Sequence, residues 1–455
     1  MGRKSSATPL CSSRTDGRDA VGRTAHNILW PARTQTAGRA GYRGGMAARR
    51  RRIAVIGAGA AGSMAAIFAA SEDAETLLIE RTPDGGRKIL ISGGGRCNVL
   101  PARSDESRFV TASPPRALQR MLRSWPLREQ IPFFEGELGI PLAEEEESAK
   151  LFPASNRARD VRDALLALAR RRGAELMMDT LVTGLAPAEE GWRIEREAAP
   201  PLEADAVIVA TGGLSLPKSG SDGLGLSILE RLGHTIHPTY PALTPLTAPE
   251  SPFTALAGLS LPVTITARSS TERASATGGF LFTHRGYSGP SVLDVAHVAV
   301  RSIESGATPA RVTVRWARFD EKAWESALKP EGSRTVGGAL RAELPDRLAA
   351  ALCAAAGVDP ARSLAHLRRD ERTRLVETLV RGELPWSGHE GYAKAEVTGG
   401  GVSLAEVDPS TMESRKHPGL FLCGEILDAF GPIGGFNFQW AWATGRAAGI
   451  GAARK

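Results

Sequence analysis

The sequence predicts an α/β fold, a doubly wound parallel sheet split by an inserted segment that is β-rich in its first part and helical in its second. Two observations predict it. Near the front, Ile53 to Gly62 reads Ile-Ala-Val-Ile-Gly-Ala-Gly-Ala-Ala-Gly, an apolar run suited to a strand buried on both faces and then a glycine-rich turn. From about Tyr240 the texture changes, and prolines at 241, 245, 249, 252 and 262 interrupt apolar and Thr-rich runs, as short strands with irregular connections require.

The glycines carry chemistry. In Gly57-Ala-Gly59-Ala60-Ala61-Gly62 the first glycine permits a tight turn, the second lets the backbone approach a pyrophosphate, and the third lets the helix pack on the strand. The helix expected at about Ala61 to Ser71 points free N–H groups and a positive dipole end at that pyrophosphate. A second apolar run, Thr76 to Ile79, completes a Rossmann-like βαβ unit and ends in Glu80, where a carboxylate can bind ribose hydroxyls. Arg81 suits a 2'-phosphate or an adenine face equally. The pattern alone fits any dinucleotide, or a turn that merely packs tightly.

Composition bounds the rest. A chain of 455 residues is long enough for about three domains. It has no apolar run of about 18 residues, so no membrane partner is expected. Cys11, Cys97, Cys353 and Cys423 form no Cys-x-x-Cys pair, which argues against zinc or a dithiol centre, and a reducing cytoplasm fits. His234 and His237 lack acidic or cysteine companions in sequence, so no metal is expected. The basic character is local: residues 1–52 hold 12 Lys+Arg against 2 Asp+Glu, leaving 45 against 48 elsewhere. Without that segment nothing suggests a nucleic-acid partner. Residues 1–45 read as a disordered or spurious extension, because Met46 followed by Ala-Ala-Arg-Arg-Arg-Arg and the first strand looks like a chain start.

Gly86-Arg-Lys-Ile-Leu-Ile-Ser-Gly-Gly-Gly-Arg-Cys-Asn98 is too rich in glycine and charge for a simple core element. A surface loop is its plain reading. Yet Gly94 and Gly95 beside Gly93 let backbone lie flat against a ligand, and Arg87, Lys88 and Arg96 suit an anionic one. Arg159 to Arg172 reads as an amphipathic helix stopped at Gly173. Leu176 to Leu185, Trp192 to Arg196 and Ala206 to Ala210 read as strands, the last opening into Thr211-Gly212-Gly213. Leu224 to Leu232 is a helix stopped at Gly233. In the insert, Leu261 to Ala267, Phe280 to Thr283 and Val312 to Trp316 are strand-like, and Pro345 to Arg381 is helical. The chain then returns through strands at Ala395 to Thr398 and Leu420 to Cys423 to a final helix at about Asn437 to Gly449.

The stretch from Gly86 through Cys97 to Asn98 resembles the BaiN-like and aminoacetone-oxidase-like family of FAD-dependent oxidoreductases. So do Ala210 to Gly223, Leu281 to Pro290, Gly424 to Asp428 and Gly434 to Trp442, in order, over about residues 53–450. The resemblance implies a Rossmann-like FAD-binding domain of the two-dinucleotide-binding type, formed by residues 46–240 and 392–455. Residues 241–391 would be the insert covering the flavin ring, β-rich over about 241–320 and helical over about 335–385. It implies hydride transfer through flavin N5, with NAD(P)H as transient reductant and a small-molecule substrate and electron acceptor. An amine oxidase making peroxide and a non-catalytic FAD-binding or redox-sensing protein remain open alternatives. It places Val182 against adenine and Gly424-Glu425 near the ribityl or phosphate region. Gly434-Gly435 before the last helix would stabilise negative charge on the flavin, with Asn437 and Gln439 as polar contacts. His284 and Tyr287, in the Thr283 to Pro290 motif, are the candidates for a substrate-facing acid or base. Relatives commonly read Asp-Val-Asp-Gly-Tyr-Thr-Gly-Gly where this chain has Asp428-Ala-Phe-Gly-Pro-Ile-Gly-Gly435, so a more apolar substrate surface is expected around Phe430, Pro432 and Ile433. A chain beginning at Met46 should fold and retain cofactor as well as the full chain, measured by thermal unfolding and visible absorbance; loss of either property would refute the reading of residues 1–45.

Overall fold

The computed structural model describes residues 49–454 except Asp73 and Glu147, so the expectation for residues 1–45 lies outside the described residues. The apolar runs form a five-stranded sheet from β1 (Arg52–Ile56), β2 (Glu75–Ile79), β3 (Glu175–Met177), β4 (Ala206–Val209) and β5 (Leu420–Leu422). Their order is β5-β4-β1-β2-β3 and every neighbouring pair is parallel. Ile53 lies between Ala206 and Thr76, which fixes the register at the centre. Continuous burial of β1 and β4 follows from helices on both faces, the reason these strands are apolar throughout rather than alternating.

Helix α1 (Ala60–Ser71) follows β1 and is buried almost all round. It is clasped by the C-terminal helix, Phe436–Arg454, whose Gly445 and Gly449 sit on the backbone carbonyls of Ala61 and Ala65. A Cβ at either glycine would overlap those oxygens. Helix Arg87–Ile91 is α2, and helix Ala158–Arg171 is α3, with Asp160 in its first turn, Arg170 and Arg171 in its last, and Gly173 closing it on Arg170 O. Leu224–Arg231 is α4.

Between residues 246 and 389 the chain builds a seven-stranded antiparallel sheet with its own apolar core, centred on the strands Ser260–Arg268 and Arg273–Phe282. Ser260–Arg268 alternates buried and exposed residues, so only one face is covered. Helix α5 (Pro290–Glu304) packs on these strands. Ile236–Ala242 and Val397–Val402, the segments entering and leaving this region, pair with each other as an antiparallel ribbon. Gly399 is required there because the Tyr240 ring lies across its Cα. The final helix, Phe436–Arg454, is α6.

Three expected elements differ. Leu176 to Leu185 is two strands: β3 ends at Met177, Asp179 turns at φ 50°, and Val182–Pro187 joins a separate antiparallel sheet with Trp192–Arg196 and Ala199–Ala204. The supposed loop after Gly86 contains α2 and then a turn with Gly93, Gly94 and Gly95 at positive φ. The helix starting at Pro290, for which Ser288 is the cap that the sequence offers, is capped instead by Gly289 with no side-chain cap. Replacing Gly449 by Leu should lower unfolding stability in urea by at least about 2 kcal/mol, the scale of overpacking a tight helix contact, whereas Gly357→Ala, where an added Cβ meets nothing, should cost less despite its positive φ.

Candidate functional site

A cavity of about 470 Å³ runs between the N-termini of α1 and α6, and is lined from Val182, Glu80 and Arg81 at one end to Gly434, Gly435 and Glu396 at the other. The glycine turn divides its labour. Gly57 stands at φ 100° and an added Cβ would lie 2.7 Å from Ala210 O, while Gly62 packs its Cα on Gly57 O. Gly59 has open space in front of it. As N-cap of α1 it has no side-chain cap, and the first turn, with Ala60 and Ala61 on the cavity wall, carries no acidic residue, so its N–H groups face the cavity unneutralised.

Glu80 lines the cavity, but both its oxygens are engaged: Oε2 accepts from Ala58 N at 2.7 Å, and Oε1 from Thr82 N at 2.9 Å and Thr82 Oγ1 at 2.7 Å. It pins the glycine turn as well as facing any ligand. Arg81 pairs with Asp222 at the rim. Val182, Ala210, Thr211, Gly212 and Gly86 are on the wall. Gly86 N donates to Ala58 O at 2.9 Å, and buried Arg162, unmarked in sequence, donates to Asp84 O at 3.0 Å and Gly85 O at 3.3 Å. Arg87 lines the cavity while pairing with Asp84 at 2.8 Å.

Lys88 and Glu425, both on the wall, form an ion pair at 2.7 Å. Ser215 Oγ accepts from Lys88 and donates to Glu425 Oε1 at 2.6 Å, and Thr398 N donates to the same oxygen at 3.0 Å. Thr398 Oγ1 in turn accepts from Leu214 N and Ser215 N. Four segments far apart in sequence are thus tied under the cavity floor. Ser215 lies inside the Ala210 to Gly223 motif and Thr398 ends an expected strand, but nothing in the sequence marked either as part of the site.

Several expected ligand residues stand elsewhere. Gly94 and Asn98 line the cavity, but Gly95, Arg96 and Cys97 do not. Arg96 pairs with Glu145 at 3.0 Å and lies 4.0 Å above the Phe152 ring. Cys97 is fully buried at φ 66°, and burial pushes its thiol up to about 12 against a lowering hydrogen bond from Ser92, so it is an inert core residue. Gly62 serves packing. Gly213 is held against Thr398, where a Cβ would lie 2.5 Å from Oγ1, and Gly424 against Ala61. Asn437 is on the wall, but its amide clasps Gly431, accepting from N at 2.8 Å and donating to O at 2.9 Å. Gln439 turns away to Ser104.

His284 and Tyr287 are displaced from the cavity altogether. His284 is exposed and not on the wall. Tyr287 sits in the antiparallel sheet's core, its phenol hydrogen-bonded to Ser251 at 2.6 Å and pushed up to about 12 by burial, with that bond opposing. The motif is a structural turn: Thr283 Oγ1 accepts from Arg285 N and Gly286 N. Phe430 likewise packs inward on Tyr240 and His297; of the divergent residues Phe430, Pro432 and Ile433, only Ile433 lines the cavity. Among the described residues no group of His, Cys, Asp and Glu is arranged for a metal. His234 is a buried strap between Glu406 at 2.8 Å and Ser414 at 3.1 Å.

Near the α6 end stand two acids the sequence did not mark. Asp294 accepts from Ile433 N at 2.7 Å, and burial pushes its carboxyl up to about 6 although Arg108 and Lys150 pull it down. Glu396 lines the cavity and is exposed to it, and desolvation by the surrounding walls raises its carboxyl above the ordinary range, Lys150 opposing and Asp294 adding.

The fold and site define a dinucleotide-binding α/β enzyme. Residues 51–451 match the HI0933-like protein Rossmann domain, and the chain belongs to that family of FAD-dependent oxidoreductases, as the motifs imply. It is 31% identical over 395 residues to the ribosomal RNA dihydrouridine synthase of Escherichia coli strain K12, covering 86% of this chain and 95% of that protein. It is 32% identical over 411 residues to the 3-dehydro-bile acid delta(4,6)-reductase of Clostridium scindens strain ATCC 35704, covering 89% and 99%. The Haemophilus influenzae ribosomal RNA dihydrouridine synthase is 31% identical over 415 residues, covering 88% and 98%.

His284→Ala should leave turnover and flavin content within twofold of wild type. Tyr287→Phe, which frees a buried Ser251 hydroxyl, should cost about 1 kcal/mol of stability in urea with turnover retained. A selective loss of turnover in either, with FAD retained, would restore the acid–base role to this motif.

Proposed function

We propose that this enzyme is an FAD-dependent reductase that saturates a carbon–carbon double bond conjugated to a carbonyl, with NAD(P)H as the electron source. What carries the reading is one convergence. Both kinds of relative that align over nearly their whole length are named for such a reduction: dihydrouridine is uridine with the ring double bond beside its carbonyl saturated, and a 3-dehydro delta(4,6) steroid is a conjugated dienone.

The residues present fit FAD. Gly59 leaves room where a pyrophosphate would press on backbone, the N-terminus of α1 is uncapped, and the buried Oδ1 of Asn98 and Oγ1 of Thr211, both from wall residues, have no hydrogen-bond partner among the described residues. In this reading Gly59, Ala60 and Ala61 hold the pyrophosphate, Glu80 offers its remaining lone pairs to ribose, and Val182 meets adenine. Lys88, through its pair with Glu425, holds the middle of the cavity rigid. The N-terminus of α6 at Gly434 and Gly435 places N–H groups and a positive dipole end against the redox-active ring. FAD, when bound, supplies a two-electron carrier between nicotinamide and substrate. The family resemblance would put residues 241–391 over that ring. Lys150, whose stem lies against Gly434, brings positive charge near that end of the cavity.

The purified protein should be yellow, and anaerobic NADH or NADPH should bleach it. A conjugated acceptor should then restore the colour; 2-cyclohexen-1-one, a 4-en-3-one steroid and a uridine-containing RNA separate the substrate classes. Bleaching by small amines with release of peroxide would favour an oxidase, and a flavin that neither nucleotide nor amine reduces would favour a sensor. A folded, colourless protein would refute FAD binding.

A further inference from the structure

We propose that Glu396, on the cavity wall beside Asp294 and Lys150, delivers the proton that accompanies hydride addition to the substrate. The inference deepens the reductase reading and rests on it. Saturating C=C–C=O breaks one π bond and makes two C–H bonds. The β-carbon takes a hydride with its electron pair from the reduced flavin, itself reduced by the nicotinamide, and the α-carbon takes a proton. The proton comes from the Glu396 carboxyl, whose O–H electrons stay on the carboxylate, and water entering the cavity restores it.

Position selects this residue. The Lys150 stem lies against Gly434, with Cε 3.2 Å and Cγ 3.4 Å from where a Cβ would stand, and Gly434 opens the turn into α6. Asp294, on α5, is bonded to the neighbouring Ile433 N at 2.7 Å. Glu396 lines the same cavity as Ile433, Gly434 and Gly435, and Lys150 and Asp294, which touch Gly434 and Ile433, both act on it electrostatically, which puts the carboxyl toward the α6 end, where the ring would lie. The acid–base residues first suggested by sequence are excluded by place, His284 on the surface and Tyr287 in the core. Asp294 does not line the cavity, and the other carboxyls on its wall are engaged, Glu80 by Ala58 and Thr82, Asp222 by Arg81 and Glu425 by Lys88 and Ser215. His297, one turn along α5 from Asp294, is buried against Phe430.

The surroundings tune the group in opposite directions. Burial and the carboxyl of Asp294 hold the proton on Glu396, whereas Lys150 favours its release; Arg108 acts on Asp294 at 3.7 Å. A raised value keeps a carboxyl protonated at the pH where it must donate.

The test is a pH titration of the flavin absorption of the yellow holoprotein between pH 5 and 9, with turnover of 2-cyclohexen-1-one measured alongside. Wild type should show a one-proton spectral shift above the ordinary carboxyl range of about 4.3. Glu396→Gln should abolish it, Asp294→Asn should move it to lower pH, and Lys150→Met should move it to higher pH. Turnover should fall as pH rises through the same midpoint, and Glu396→Gln should lower it by about 100-fold. No spectral shift in wild type, the same shift in Glu396→Gln, or undiminished turnover in Glu396→Gln overturns the proposal alone. A colourless folded protein, or a yellow wild type that reduces none of the enone, the steroid or the RNA, overturns the reductase reading and the proposal with it.

Discussion

The site depends first on how closely α6 lies on α1. With Gly445 and Gly449 set on the carbonyls of Ala61 and Ala65, the two helices meet backbone to backbone. This contact joins the front of the chain to its end, and it sets the two helix N-termini, at Gly59 and at Gly435, on the walls of one cavity. Dispersion and burial hold it together, because α1 sets Ala61, Ala65 and Ala69, with Met64 beside them, on that face. A dinucleotide carries negative charge along its pyrophosphate, and a redox-active ring gains it on reduction. Two helix dipoles directed into one cavity answer both demands.

The second constraint is polar. Lys88, Ser215, Thr398 and Glu425 come from four separate parts of the chain and satisfy one another beneath the cavity. Each is partly shielded from water, so removing one member leaves its partners with unmet hydrogen-bonding capacity. Thr398 belongs to the ribbon through which the chain leaves the antiparallel region, and its partner strand, Ile236–Ala242, is where the chain enters. The entry to and exit from the antiparallel region are therefore tied to the geometry of the site floor.

The family motifs mix two kinds of residue that look alike in sequence. Arg96 and Cys97 sit in the same glycine-rich stretch as Gly94 and Asn98, yet the first two face the core and the strand Leu142–Glu145, while the other two face the cavity. The turn from Thr283 to Pro290 likewise owes its pattern to folding: Gly286 lies against the strand Leu246–Thr247, and Tyr287 fills the core between Phe280 and Phe282. A tyrosine and a histidine in a strong motif suggested acid–base chemistry, but only packing shows which side of the sheet each one faces. Membership in a motif marks a residue as needed without saying for what.

By itself the sequence determined the parallel βαβ opening, the return of the chain to the same sheet, the change of texture near Tyr240, and the glycines that take part in ligand approach. These are legible because they follow from local rules: continuous apolar runs for doubly covered strands, periodicity for α3, and the freedom from Cβ at Gly57 and Gly59. Only the tertiary structure decided that Glu80 also pins the glycine turn, that Lys88 is committed to Glu425, and that Asp294 and Glu396 stand together at the α6 end of the cavity. Those facts depend on burial and on side-chain contacts, across 22 residues for Glu80 and Ala58 and 337 for Lys88 and Glu425, neither of which has a period or a spacing to read. The Ile53 to Gly62 stretch announces a dinucleotide; the electrostatic character of the place where chemistry would occur comes from the α6 N-terminus together with Asp294 and Glu396, which lie in no motif.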